Sequence, residues 1–357
     1  MTGNIGEWSE LYTLFKLLAD GKLYAADENT NKIPGIYYDI LKVLRSEKNS
    51  KLEYSRETEV KVINAETGEL VCSVPIKTFA DQTDNLLADM KSKKDTEGAF
   101  ELPDTWRFAE SISCRSLKAK SQDKADIHLM VHDIMSGRDD TFGFSIKSQL
   151  GSPSTLFNAS GATNFIYTIT GKMLSQDEID TFNELKKFKQ KFEYLKSLGC
   201  EIEFDDVDNK TFDFNLKMVT SEMSEIFAEM IKVYYEGKAN KISEITEIVA
   251  KSGIVNTLDN GIYLKHKVKT LLTNIALGMV PNTLWTGDYE ATGGYIIVKE
   301  DGDVVCYHIY NRNAFMNYMF DNTRFDTPSQ GRHGFGKIYE EDGWQLLKLN
   351  TQIRFVK

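Results

Sequence analysis

Asp126, Lys147 and Gln149 are the residues whose types and spacing could do hydrolytic chemistry together. They belong to the stretch DIHLMVHDIMSGRDDTFGFSIKSQ, which reads as two strands and a polar turn. Ile127, Leu129 and Val131 alternate with Asp126, His128, Met130 and His132; Phe142, Phe144 and Ile146 alternate with Ser145, Lys147 and Gln149. A period of two marks a strand with one buried face. A turn at Ser136-Gly137-Arg138-Asp139 predicts Val131 opposite Phe144, Leu129 opposite Ile146, His128 opposite Lys147 and Asp126 opposite Gln149. A one-residue slip would set apolar against polar along the whole ladder. The polar face then carries a carboxylate, an ammonium and an amide. That set suits Mg²⁺-dependent phosphodiester hydrolysis: the carboxylate holds the metal, and the lysine orients water and screens phosphate charge. Gln149 could bond the attacking water or a phosphate oxygen. Lys147 sits inside an apolar strand, where a charge needs a reason to be present. The plainer alternative is a surface hairpin with a polar outer face. Asp139 and Asp140 read as turn residues, and as the fallback acids under another register; His128 and His132 read as structural. The chain has no HExxH, Walker loop or Gly-x-Ser-x-Gly.

The hairpin needs a frame. GEWSELYTLFKLLADGKLY reads as a helix, with Trp8, Leu11, Phe15 and Leu18 at helical spacing and Gly21 as its C-cap. Glu7 and Glu10 lie in its first turns, where carboxylates suit the helix dipole. Residues 36–79 are strand-rich with a turn at Glu66-Thr67-Gly68, and TDNLLADMKSKK is a helix. After the hairpin come a loop and another strand. Near residue 175 the texture turns helical: Ser175 caps a helix running to Gly199, and 215–237, 242–252 and HKVKTLLTNIALGMV follow. From Tyr295 strands return, with a hairpin signal at Asp301-Gly302, and GWQLLKLNTQIRFV alternates like a final strand pair. This order is α+β, or mixed α/β. A soft boundary near 172 divides the chain into two domains. Residues 1–172 hold the hairpin, and residues 173–357 are helix-rich and end in strands.

The length of 357 residues allows two domains with real cores. No apolar run approaches a membrane span, and the start MTGNIGEWSE has no signal-peptide pattern. Cys72, Cys114, Cys200 and Cys306 are scattered, as expected of reduced thiols in a cytoplasmic protein. A net charge of −10 argues against nonspecific nucleic-acid binding, though not against an enzyme with a basic cleft. Basic residues gather at Arg115, Lys118, Lys120 and Lys124, and again at Arg312, Arg324, Arg332, Lys337, Lys348 and Arg354. The bland reading of each cluster is a solvated face.

Asp126 on one strand and Lys147 on the next resemble the PD-(D/E)xK nuclease site, with a departure: the position two before the lysine is Ser145, not an acid. Three stretches resemble the HpaII-type type II restriction endonuclease family. They are GNIGEWSELYTLFKLLADGKLYAAD, KADIHLMVHD with GFSIKSQLGSPSTLFNASGATNFIY, and the C-terminal run from ATGGYIIVKEDGDVV to LNTQIRF. The resemblance implies a PD-(D/E)xK-like central sheet with flanking helices. It also implies Mg²⁺-dependent cleavage of double-stranded DNA at a short palindrome, CCGG for the family's founding enzyme. It gives the N-terminal helix a second meaning. Several PD-(D/E)xK nucleases begin with a Gly-x-x-x-Glu helix whose glutamate reaches the metal, and Gly6 and Glu10 fit that spacing. Glu10 could then supply the acid missing at Ser145, with Asp126 the other metal ligand.

A site of G·C pairs calls for arginines, which can bond guanine O6 and N7 together. NTRFDTPSQGRHGFG offers Arg324 and Arg332 in a loop rich in small residues. Asp326 could accept from cytosine or hold an arginine, and Ser329 and His333 could reach bases or phosphates. The alternative is a surface loop held by Arg–Asp pairing. A host methyltransferase is the implied functional partner, and a palindrome suits a homodimer, although a monomer can nick each strand in turn. Two other functions stay open: a repair or junction-resolving nuclease of the same superfamily, and a DNA-binding protein without catalysis.

Overall fold

In the computed structural model all residues are described except 48, 49, 94, 95, 97, 119–124, 135, 309, 310, 330 and 357. Lys120 and Lys124 therefore lie outside the described residues. The protein is mixed α+β, and the chain divides into two units. The first comprises Met1–Ser154 and Tyr289–Tyr318, the second Thr155–Asp288 and Met319–Lys357. This differs from a single cut near 172. The reason is strand Gly294–Val298, which returns from far along the chain to pair parallel with Arg138–Ser148. Among the described residues no helix is long and apolar enough to cross a membrane.

The first unit is built on a nine-stranded sheet. Its order is Lys22–Ala26, Val304–Tyr307, Gly294–Val298, Arg138–Ser148, Ile127–Asp133, Lys32–Ser46, Lys51–Arg56, Glu59–Asn64 and Leu70–Pro75. Lys22–Ala26 also pairs with Lys32–Ser46, so the first six strands close on themselves. The N-terminal helix, Ile5–Asp20, covers one face of the sheet. Asn4 caps it in a reciprocal pair with Glu7, and Gly21 ends it at φ 71°. Only glycine takes that left-handed conformation without strain. Trp8, Leu11, Phe15 and Leu18 share one core with Phe79, Leu129, Val131, Phe142 and Phe144. Gly294 is required where the parallel strand enters the sheet: φ is 93°, and a Cβ there would lie 2.1 Å from the Tyr307 carbonyl oxygen.

The strand-rich 36–79 region, the Gly68 turn and the Asp301-Gly302 hairpin appear as expected. The second helix begins earlier than its sequence suggested, at Ile76. A helix at Pro103–Ser111 had no clear sequence signal.

The second unit holds a four-stranded and a three-stranded sheet with helices. Two expectations are corrected there. Trp344–Asn350 and Gln352–Phe355 do not pair with each other: the first joins Asn164–Thr170 and Ile338–Glu341, the second Thr155–Phe157 and Thr323–Asp326. Alternation identifies strands, not partners. The helix expected from Ser175 to Gly199 is two, Gln176–Glu184 and Phe188–Ser197. Its Ser175 N-cap is as expected.

Lys191 spans the break between those helices. It is buried, and its Nζ donates to the Phe182 and Gly336 carbonyl oxygens at 2.9 and 2.8 Å. Burial pushes its pKa from 10.5 down to about 8, with Lys337 adding in the same direction. Between those values the unfolded chain holds a proton that the folded chain has released, so stability rises with pH. Urea unfolding should therefore favour the wild type increasingly over Lys191→Met as pH is raised from about 8 to about 10.5. A pH-independent difference would contradict this reading of Lys191.

Candidate active site

The hairpin has the expected faces but a different register. Ile127 lies opposite Phe144, Leu129 opposite Phe142 and Asp133 opposite Arg138. The turn is thus centred two residues earlier than expected, with the Gly137 N–H bonded to the Asp133 carbonyl at 2.7 Å and Gly137 at φ 67°. Parity survives this shift, so apolar still faces apolar. Pairing His128 with Lys147 and Asp126 with Gln149 was wrong. Asp126 instead lies beside Ser145, and its N–H donates to the Phe144 carbonyl at 2.8 Å.

That register gives Ser145 a defined task. Its Oγ donates to Asp126 Oδ2 at 2.9 Å, and the Ile146 N–H donates to the same oxygen at 2.7 Å. Two donors on one oxygen fix the carboxylate's orientation. Oδ1 takes no bond among the described residues. Ser145 is thus an orienting donor for Asp126, which strand periodicity alone could not reveal.

Lys147 is partly buried on the face of Asp126 and Ser145. Burial pushes its pKa down, while the charges of Asp126 and then Glu10 oppose that. Both carboxylates therefore act on one ammonium. Lys147 Nζ also lies 5.3 Å from the Tyr295 ring centroid. Tyr295 pairs in register with Ser145 on the parallel strand. Its own hydroxyl is held protonated well above the ordinary range, by burial first and Asp126 second. Sequence reasoning missed Tyr295 because parallel pairing across so long a separation leaves no local trace.

The N-terminal helix reaches the same strand end. Ser9 Oγ bonds Ser148 Oγ at 2.8 Å. Glu10, the next residue, is partly buried and lies in the second turn, beyond the capping positions. Glu7 is spoken for: it completes the N-cap and pairs with Lys118 at 2.8 Å, which together hold its pKa below the usual range. Gln149 lies just past the lysine strand, with its backbone N–H on the Val298 carbonyl at 2.9 Å. Asp139 and Asp140 lie at the other end of the hairpin, where Asp139 pairs with His132 at 2.7 Å. They are not alternatives to Asp126.

Ser116 is held by a buried ion pair, Arg45 to Glu47 at 2.7 Å. Glu47 also accepts from Ser116 Oγ at 2.9 Å, and Arg45 donates to the Ser116 carbonyl. The four cysteines are free, with Cys72 half-buried and the others buried.

Arg324, Asp326, Ser329, Arg332 and His333 all belong to the second unit. Arg324 and Asp326 lie on strand Thr323–Asp326, not in a loop. Asp326 takes Arg354 at 3.0 Å, Gln352 at 3.0 Å and Arg324 at 3.6 Å. Arg–Asp pairing thus accounts for Arg324. Ser329 and Arg332 are exposed and close a turn, with the Arg332 N–H on the Ser329 carbonyl at 3.0 Å. His333 has φ 71°, and its carbonyl accepts from Asn164 at 2.9 Å. Lys348 is paired with Asp208 at 2.8 Å.

A family model described as HpaII restriction endonuclease matches residues 4–355. The chain is 44% identical over 357 residues to the type II restriction enzyme HpaII of Haemophilus parainfluenzae, covering 99% of each chain. No solved structure matches. The match runs through the hairpin, the N-terminal helix and the returning strands alike. The chain belongs to the HpaII restriction endonuclease family, and it is a type II restriction endonuclease.

Proposed function

We propose that the protein hydrolyses double-stranded DNA at CCGG, using a PD-(D/E)xK-like site in which Asp126 and Glu10 hold Mg²⁺ and Lys147 acts on the scissile phosphate. The observation that carries this reading is the Asp126 carboxylate, held through one oxygen by Ser145 Oγ and the Ile146 N–H on the face that bears Lys147. The donors fit a small hard cation. Mg²⁺ is commonly held by one or two carboxylates, with water and substrate phosphate completing the shell. Among the described residues no three His, Cys, Asp or Glu gather at one point, so the chain itself offers few ligands. When bound, the metal would lower the pKa of water and offset charge developing on the phosphate.

The remaining work falls to side chains. Asp126 presents Oδ1 while Ser145 and the Ile146 N–H hold Oδ2. Lys147 donates to a non-bridging phosphate oxygen and to the incoming water, with the Tyr295 ring beneath its ammonium. Gln149 offers an amide to the same water. In-line attack breaks the P–O3′ bond and leaves 5′-phosphate and 3′-hydroxyl ends. The first unit carries this chemistry and the second unit base recognition. A host methyltransferase protects the organism's own sites, and a homodimer fits the symmetry of the palindrome.

Plasmid cleavage in Mg²⁺ and in EDTA, with the cut ends mapped, tests the proposal. Metal-dependent cuts at CCGG alone support it. Cuts at branched or damaged DNA indicate a repair or junction-resolving enzyme, and specific binding without cuts indicates a non-catalytic protein.

Arg332 is the exposed arginine of the candidate reading loop. If it bonds a guanine, Arg332→Ala should cost roughly 1–3 kcal/mol on the cognate duplex. The loss should be much smaller on a scrambled duplex. Equal losses, with a salt slope shallower by about one, would move Arg332 to the phosphate backbone. Arg324 should be less selective, since Asp326 already engages it.

A further inference from the structure

The lysine strand Arg138–Ser148 has two unlike faces. Phe144 and Ile146 turn to the core under the N-terminal helix, with Ile296 and Val298 of the parallel strand beside them. Side chains alternate along a strand, so Ser145 and Lys147 lie on the other face, with Tyr295 and Ile297 in register. Tyr295 pairs in turn with Tyr307 on the next strand. Helix Arg312–Asp321 covers these two rings: Phe315 meets Tyr295 edge to face, with centroids 5.4 Å apart, and Tyr318 stacks on Tyr307 at 4.3 Å. Tyr295 is 2% exposed, so its ring is clamped between strand and helix. The Lys147 ammonium stands over that ring, 5.3 Å from its centroid.

We propose that Tyr295 is a positioning residue for Lys147, whose ring holds the ammonium where it meets the scissile phosphate. The inference rests on the catalytic reading of Lys147 and adds a residue to it. A lysine carries its charge on a flexible four-carbon stem, so its place on the strand alone leaves the ammonium several positions. A cation within about 6 Å of an aromatic centroid is attracted to the ring face, and more strongly when desolvated. Lys147 is partly buried, so the ring offsets part of the hydration its ammonium gives up. An aliphatic side chain at 295 would fill the sheet as Ile296, Ile297 and Val298 do along the same strand, yet would offer the ammonium nothing. Both residues sit on paired strands, which fix their separation more closely than a loop would.

The test is single-turnover cleavage of a CCGG duplex in Mg²⁺ by the full chain, with duplex affinity measured separately in Ca²⁺. Tyr295→Leu should lower the cleavage rate roughly three- to thirty-fold, the span of a cation–ring contact, and leave duplex affinity unchanged. Tyr295→Phe, which keeps the ring, should recover most of the rate. In a Lys147→Ala background, Tyr295→Leu should cost nothing further, because its effect passes through the ammonium. Thermal melting shows that each variant folds, and Tyr295→Met replaces Tyr295→Leu if the latter does not melt cooperatively. A wild-type rate in the folded variant overturns the proposal. So does an equal loss in both backgrounds, which marks a merely structural residue. A Tyr295→Phe as slow as Tyr295→Leu also overturns it, by moving the role to the hydroxyl. Failure of the catalytic reading itself is seen separately: Lys147→Ala would then cut at the wild-type rate with Tyr295 in place.

Discussion

Lys147→Ala is expected to lower single-turnover cleavage of a CCGG duplex by roughly 10³-fold or more, the scale seen when a group that stabilises developing charge is removed. Asp126→Asn should do the same. Binding should part the two variants from a folding defect. Asp126→Asn removes a negative charge beside the phosphate, so specific binding should hold or tighten. Lys147→Ala should weaken binding only modestly, because a single phosphate contact is lost. The motive is geometric: Ser145 and the Ile146 N–H orient Asp126 on the strand face that also bears Lys147. Cleavage by Lys147→Ala near the wild-type rate in Mg²⁺ would remove the hairpin from catalysis.

The second large effect concerns the helix. Glu10→Gln should lower cleavage by roughly 10²-fold or more, while thermal stability barely moves. A carboxylate favoured only by the helix dipole contributes about 0.3–1 kcal/mol, and that benefit fades beyond the first turn. Glu10 lies past that turn, where Glu7 already completes the cap. Glu7→Gln is the matched control: its amide oxygen still accepts from the Asn4 N–H while the Lys118 ion pair is lost, so it should cost a little stability and spare cleavage. Unchanged cleavage in Glu10→Gln, with a small stability loss, would return Glu10 to a structural role.

The hairpin marks how far sequence reasoning reached. Period-two alternation fixed which face Asp126 and Lys147 share, because any odd slip exposes Phe142 and Phe144. It could not fix the register, since an even slip keeps every apolar residue inside. The Gly137 turn made that choice, and Ser145 acquired Asp126 as its partner only as a result. The N-terminal helix was readable from its spacing and Gly21, because helix signals are local. Tyr295 was not, and neither was the split of the tail strands between two sheets. Both depend on pairings between distant segments, such as Tyr295 with Ser145 and Gln352 with Asp326. The same non-local return of Gly294–Val298 displaced the boundary expected near 172. Arg324 looked like a loop residue because its flanks are rich in Gly, Ser and Pro; the short strand it occupies is specified by its partner Gln352–Phe355.

Divalent-metal binding to the protein–DNA complex tests the site most directly. Calorimetric titration of Mn²⁺, as a Mg²⁺ substitute, into cognate-duplex complexes of wild type, Asp126→Asn and Glu10→Gln isolates the metal from turnover if the scissile phosphate is made non-hydrolysable. A site shared by the hairpin and the N-terminal helix requires each substitution to weaken metal binding at least tenfold, about 1.4 kcal/mol, with duplex affinity retained. Wild-type metal affinity in either variant would contradict a site built from both carboxylates.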